Sequence, residues 1–167
     1  MGFLTNKGLA RRWATSYSAP ALRIKNGSMR ANGRILLSYC TAIAQFVDLP
    51  DGRMGVVLNR CRYSNTTDRH QSHVRSSVQS QGHPTVDILD VNRGDEYLVP
   101  DDPIERAAWL DKQLRCFSGV ATGRELLARR CRLDRTREWC LAQARGAREN
   151  MERLKRWFGL SFGNEEE

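Results

Sequence analysis

The chain has 167 residues and a mass of 19.1 kDa, the size of one domain or of one domain with a helical appendage. Its 40% of hydrophobic residues can build a lean core, and a charged fraction of 28% with ordinary Gly and Pro content excludes wholesale disorder. A net charge of +8 favours an anionic partner, and no run approaches the roughly 18 apolar residues of a membrane-spanning helix.

Residues 1–21 read as a loose arm with one helical turn around Leu9 to Trp13. From Ala21 the texture changes. Leu22 and Ile24 alternate with Arg23 and Lys25, predicting an accessory strand, and Asn26-Gly27 marks a turn. The apolar run 35–47 and the β-branched-rich run 53–61 are the two legs of a hairpin. Leu49-Pro50-Asp51-Gly52 joins them, because Pro and Asp set up the bend and Gly takes positive φ. The period then becomes helical over 66–80, with Ser64, Thr66 or Thr67 as the cap and Gly82 and Pro84 as the stop. Residues 85–100 are acidic and short-patterned, a minor strand or a loop.

Asp102 before Pro103 and Glu105 opens a helix over 103–117 that should stop at Gly119. Thr122 and Glu125, at capping-box spacing, open a longer one over 122–158, its apolar stripe broken once near Arg135. The expected class is therefore α+β: a small antiparallel sheet with a following helix, plus a C-terminal helical pair. Residues 1–100 form the first region and 101–167 a helical region packed on it, or both share one core. Trp109, Trp139 and Trp157 fall on helix faces and are expected at helix–helix or helix–sheet contacts. The chain is a monomer in this reading, or a homodimer through the C-terminal helices.

The charge is unevenly spread. Residues 1–83 carry +9, residues 84–118 carry −4, and residues 119–164 carry +6 before the acidic tail Glu165-Glu166-Glu167. Of the 27 basic side chains, 23 are Arg, whose planar fork suits phosphate or an acidic protein face. A GC-rich coding sequence produces the same bias without selection for binding. The five cysteines are odd in number and contain no CxxC pair, so neither a disulfide framework nor a common zinc module is indicated. With no apolar segment near the start, the reducing cytoplasm is the expected compartment.

The densest polar cluster is 63–73, where a strand gives way to a helix start. Helix N-terminal N–H groups bind anions, and Ser64, Thr66, Thr67, Arg69 and His70 add donors, flanked by Arg60, Arg62 and Arg75. These eight residues are the candidate nucleic-acid or partner-binding set. The plainer reading is that Ser64 or Thr66 caps the helix and the rest faces water. His70 and His73, with Cys61 and His83 nearby, fall short of a zinc pattern, and no metal or cofactor is expected. Ser64, Asp68 and His70 form the minority reading of a small hydrolase or nuclease, resting on nearness in sequence alone. The acids Asp87, Asp90, Asp95, Asp101 and Asp102 are too irregularly spaced for a nuclease centre, and Asp102 is better explained as a cap.

Ser38-Tyr39-Cys40-Thr41-Ala42-Ile43-Ala44, then a hairpin ending in Leu58-Asn59, then Tyr63-Ser64-Asn65-Thr66-Thr67-Asp68-Arg69-His70-Gln71 resembles a small domain family of phage and mobile-element proteins. That family reads SYxTxIA, a hairpin, and YSxTTxxHQ, and it brings no catalytic residues to carry over. The resemblance covers about residues 30–80, with Cys40 at a usually polar position. It implies a strand–turn–strand–helix unit and a phage, prophage or plasmid origin. The function expected from it is a non-enzymatic accessory protein that binds a host nucleoprotein or nucleic acid, of the anti-CRISPR or anti-restriction type. Direct DNA or RNA binding as the whole function is the alternative.

Overall fold

Thr5 accepts a hydrogen bond from the Gly8 N–H and so caps the first helix, α1 (Asn6–Thr15). Its apolar residues recur at helical spacing, and Leu9, Ala10, Trp13 and Ala14 are all fully buried. The computed structural model describes residues 4–16, 22–24 and 27–159. The expected loose arm is therefore, over residues 6–15, a core helix. Residues 1–3 and 17–21 of that arm and the Lys25-Asn26 end of the predicted turn lie outside the described residues.

Among the described residues six strands follow in one sheet whose spatial order is the chain order: β1 (Leu22–Arg23), β2 (Met29–Asn32), β3 (Ile35–Ser38), β4 (Thr41–Asp48), β5 (Met54–Asn59) and β6 (Thr85–Ile88). The first five pair antiparallel, and β5 pairs parallel with β6 across the helix α2 (Asn65–Ser80). The fold is thus α+β, as the sequence predicts. The expected strand over 35–47 is corrected to two strands that turn back at Tyr39-Cys40, where Tyr39 takes φ 55°. No Gly or Pro announces that turn, so an apolar run conceals it. Residues 85–88 settle as a strand because a parallel partner needs the long crossover that α2 provides.

Trp13, Phe46, Val56, Leu58, Val74 and Val78 meet in one apolar cluster between the sheet and the two helices. Trp13 stacks tilted on Phe46 with ring centroids 4.5 Å apart and donates its indole N–H to the Gly33 carbonyl at 3.2 Å. Across β4, Gln45 clamps the segment before residue 100. Its Oε1 accepts from the Leu98 and Val99 N–H groups at 2.7 and 3.1 Å.

The chain divides into two compact units, Met1–Val99 and Pro100–Glu167. The second is a pair of antiparallel helices, α3 (Pro103–Arg130) and α4 (Asp134–Phe158), joined by residues 131–133. Asp102 caps α3 as predicted, accepting from the Ile104 and Glu105 N–H groups at 2.9 Å with Pro103 at the first position. The predicted stop at Gly119 and restart at Thr122 are corrected. α3 runs through both, and the single helix expected over 122–158 is instead interrupted at 131–133, close to where its apolar stripe breaks near Arg135. Two interior glycines cost about 1 kcal/mol each relative to Ala, a debt that packing against α4 overrides. Phe117, Ala121 and Ala128 of α3 and Cys140, Ala144, Ala147 and Leu154 of α4 are buried, small residues predominating where the helices approach. Trp157 is buried, Trp109 of α3 meets Phe158 of α4 edge-on, and Trp139, although 51% exposed, lies under Arg124 of α3, so these side chains sit at the helix–helix contact the sequence predicts. Among the described residues no helix is long and apolar enough to cross a membrane.

Candidate functional site

Strand β5 ends at Asn59, a short extended link runs over 60–64, and α2 begins at Asn65, so the candidate residues cluster where the sheet hands the chain to the helix. Ser64 is the N-cap, its Oγ accepting from the Thr67 N–H at 3.2 Å. Neither Thr66 nor Thr67 takes that place. Thr66 is exposed, whereas Thr67 is buried with its Oγ1 3.2 Å from Ser64 Oγ and 3.5 Å from Ser38 Oγ. Ser64→Ala is expected to lower stability by about 1 kcal/mol in urea denaturation, the usual value of a lost cap. A substantially larger loss would mean that Ser64 does more than cap.

His70 points inward. Its Nδ1 lies 2.8 Å from Ser38 Oγ and its Nε2 accepts from the Asn6 amide at 2.9 Å, so α1, β3 and α2 are pinned through one imidazole. With Nε2 accepting, the proton resides on Nδ1 and is donated to Ser38. Burial pushes its pKa below the ordinary histidine value, and the neighbouring His73 charge adds to the effect. Tyr63 is pinned as well: its hydroxyl donates to the Val91 carbonyl at 2.6 Å and accepts from Asn59 Nδ2 at 3.1 Å. Burial, the largest cause, pushes the phenol up to about 12.

Arginines at the corner are mostly engaged. Asp87 on β6 takes Arg60 on one carboxylate oxygen at 3.1 Å and Arg75 on the other at 2.8 Å, while Arg62 pairs with Asp68. Only Arg69 of the four makes no ion pair among the described residues. The predicted set thus sorts into capping and buried groups (Ser64, Thr67, His70), paired cations (Arg60, Arg62, Arg75) and exposed side chains (Thr66, Arg69).

Ser64, Asp68 and His70 do not converge. The Ser64 hydroxyl is held at Thr67, Asp68 at Arg62, and His70 at Ser38 and Asn6. Ser38 and His70 come within nucleophile–base distance, yet each is 1% exposed, and the imidazole proton already points at the serine oxygen. Cys61 Sγ accepts from the Val91 N–H, away from His70. Among the described residues no three His, Cys, Asp or Glu side chains gather as metal ligands.

A feature that sequence reading missed lies at the other end of α2. Lys7 and Arg11, one turn apart on α1, line a groove of about 370 Å³ with Ser76, Ser77, Ser80 and Gln81 of the α2 C-terminal end. No carboxylate lines it. Lys7, Arg11 and Arg12 make no ion pair among the described residues. The available signal was the three cations among residues 7–12 with no acid before Asp48, hidden by reading the segment as an arm. No protein-family model, curated protein or solved structure matches this chain.

Proposed function

We propose that the chain is a non-enzymatic accessory protein of a phage or mobile element that binds nucleic acid, free or within a host nucleoprotein, with the α1–α2 groove as its phosphate-contacting surface. The observation that carries this reading is the distribution of ion pairs. At the corner, Asp87 and Asp68 pair with Arg60, Arg75 and Arg62, whereas Lys7 and Arg11 line the groove with serines and no carboxylate partner among the described residues. A cation without a carboxylate partner can release a phosphate counterion at no cost in broken pairs. The origin and the anti-defence role rest on the SYxTxIA and YSxTTxxHQ resemblance alone.

Titration of labelled duplex and single-stranded DNA and RNA at two salt concentrations tests the reading. Binding should fall steeply with salt, and the double variant Lys7→Glu/Arg11→Glu should weaken it at least tenfold at low salt and reduce the salt slope by roughly 1.5–2. Arg60→Glu should do far less to affinity. Equal binding by the double variant, or none by the unmodified chain at low salt, would overturn the assignment.

A further inference from the structure

On the helical unit, several large apolar side chains stay in water although the pair has a core of its own. Val120 is 39% exposed, Leu127 48% and Trp139 51%. Val120 and Leu127 are seven residues apart and share one flank of α3, with Gly123 between them adding no side chain. Arg124 of α3 lies over the Trp139 ring, its guanidinium carbon 4.8 Å from the ring centroid, which places Trp139 of α4 against that helix. Helical spacing adds Arg130, three residues after Leu127, and Arg135, four before Trp139.

Neither Arg130 nor Arg135 makes an ion pair among the described residues. Acids nearby are engaged elsewhere: Glu125 by Arg148 and Asp134 by Arg137. Glu138 is turned about 100° from Trp139 by the helical step. The patch is thus three apolar side chains with three arginines around them.

We propose that this patch docks an acidic amphipathic helix of a partner protein. Val120 and Leu127 offer nothing to a phosphate backbone but match leucine-type side chains spaced a helical turn apart, and unpaired arginines match flanking Asp or Glu. Trp and Arg are the residues that carry most binding energy at protein interfaces. A second copy is disfavoured because the two faces would bring like charges together. The surface belongs to the unit that lacks the α1–α2 groove, so it goes beyond the nucleic-acid reading and stands or falls separately.

The test uses the full chain and a labelled synthetic helical peptide with Leu at positions i, i+4 and i+7 flanked by Glu, followed by fluorescence anisotropy. A version with Lys for Glu and one with Ala for Leu are the controls. Saturable binding is expected for the acidic peptide alone, weakened at least tenfold by Trp139→Ala and by Arg130→Glu/Arg135→Glu. Arg130→Glu/Arg135→Glu should keep the thermal midpoint, since both side chains are exposed. Equal binding of the Lys peptide, or binding indifferent to these substitutions, would overturn the proposal. So would phosphatidylserine vesicle binding or self-association in sedimentation that these substitutions abolish, with no binding of the acidic peptide.

Discussion

Replacing Trp13 with alanine is expected to remove about 3–5 kcal/mol from the Met1–Val99 unit, the largest loss for any single substitution considered. Trp13 is fully buried, and truncation deletes the ring that stacks on Phe46 and fills the space between α1 and the sheet. It also deletes the indole N–H that satisfies the Gly33 carbonyl in the β2–β3 turn. A small domain has only about 5–15 kcal/mol in total, so the variant should sit near its folding threshold. Hydrogen exchange at β4 and β5 amides under low urea reads this unit apart from α3 and α4. Protection there should collapse in Trp13→Ala and persist in Trp139→Ala, whose ring is half exposed. Unchanged protection in Trp13→Ala would mean that the sheet stands without α1, contrary to the burial of Leu9, Ala10 and Ala14.

Local chemistry made parts of this fold legible. Asp102-Pro103 with Glu105, Pro50-Asp51-Gly52 and Ser64 name their structures because the groups that satisfy or bend the backbone are the residues themselves. What stayed hidden depends on distant partners. α1 reads as an arm until the Phe46 and Val74 surface exists to receive Trp13, and α3 crosses Gly119 and Gly123 because α4 lies alongside. Tyr39 turns the chain without Gly or Pro because its neighbours are held: Ser38 by His70 and Thr41 by the Gly94 N–H.

The same distinction applies to the candidate site. Composition pointed correctly to a dense polar corner, but composition does not say whether a polar group is spent. Ser38, Asn59, Tyr63, Ser64, Thr67, His70 and Gln71 all hydrogen-bond within the fold, so the two motifs specify how two segments fasten together. Cations without an ion pair also stand on α1, where the hydrophobic stripe of Leu9 and Trp13 turns Lys7 and Arg11 outward. Periodicity would have shown that face had residues 1–21 been read as a helix.

His70 should make the stability of this unit depend on pH. Its folded-state pKa is depressed, by burial first, so the unfolded chain binds the proton more readily than the folded one near pH 6. Stability is then fully present above the unfolded value of about 6.5 and declines as pH falls below it, by at most about 1.4 kcal/mol per pH unit, until the folded form also protonates. Structurally, a proton on Nε2 would oppose the Asn6 amide N–H and loosen α1 from α2. His70→Asn should abolish this slope between pH 7 and 5. It should also lower stability at pH 7 by about 1–3 kcal/mol for each partner it leaves unsatisfied, Ser38 and Asn6 being the two at stake. Urea midpoints of the two proteins across that range isolate the contribution from His73, His83 and the carboxylates, which both share. A wild-type slope no steeper than that of His70→Asn would show that the buried imidazole accepts its proton without disturbing the junction.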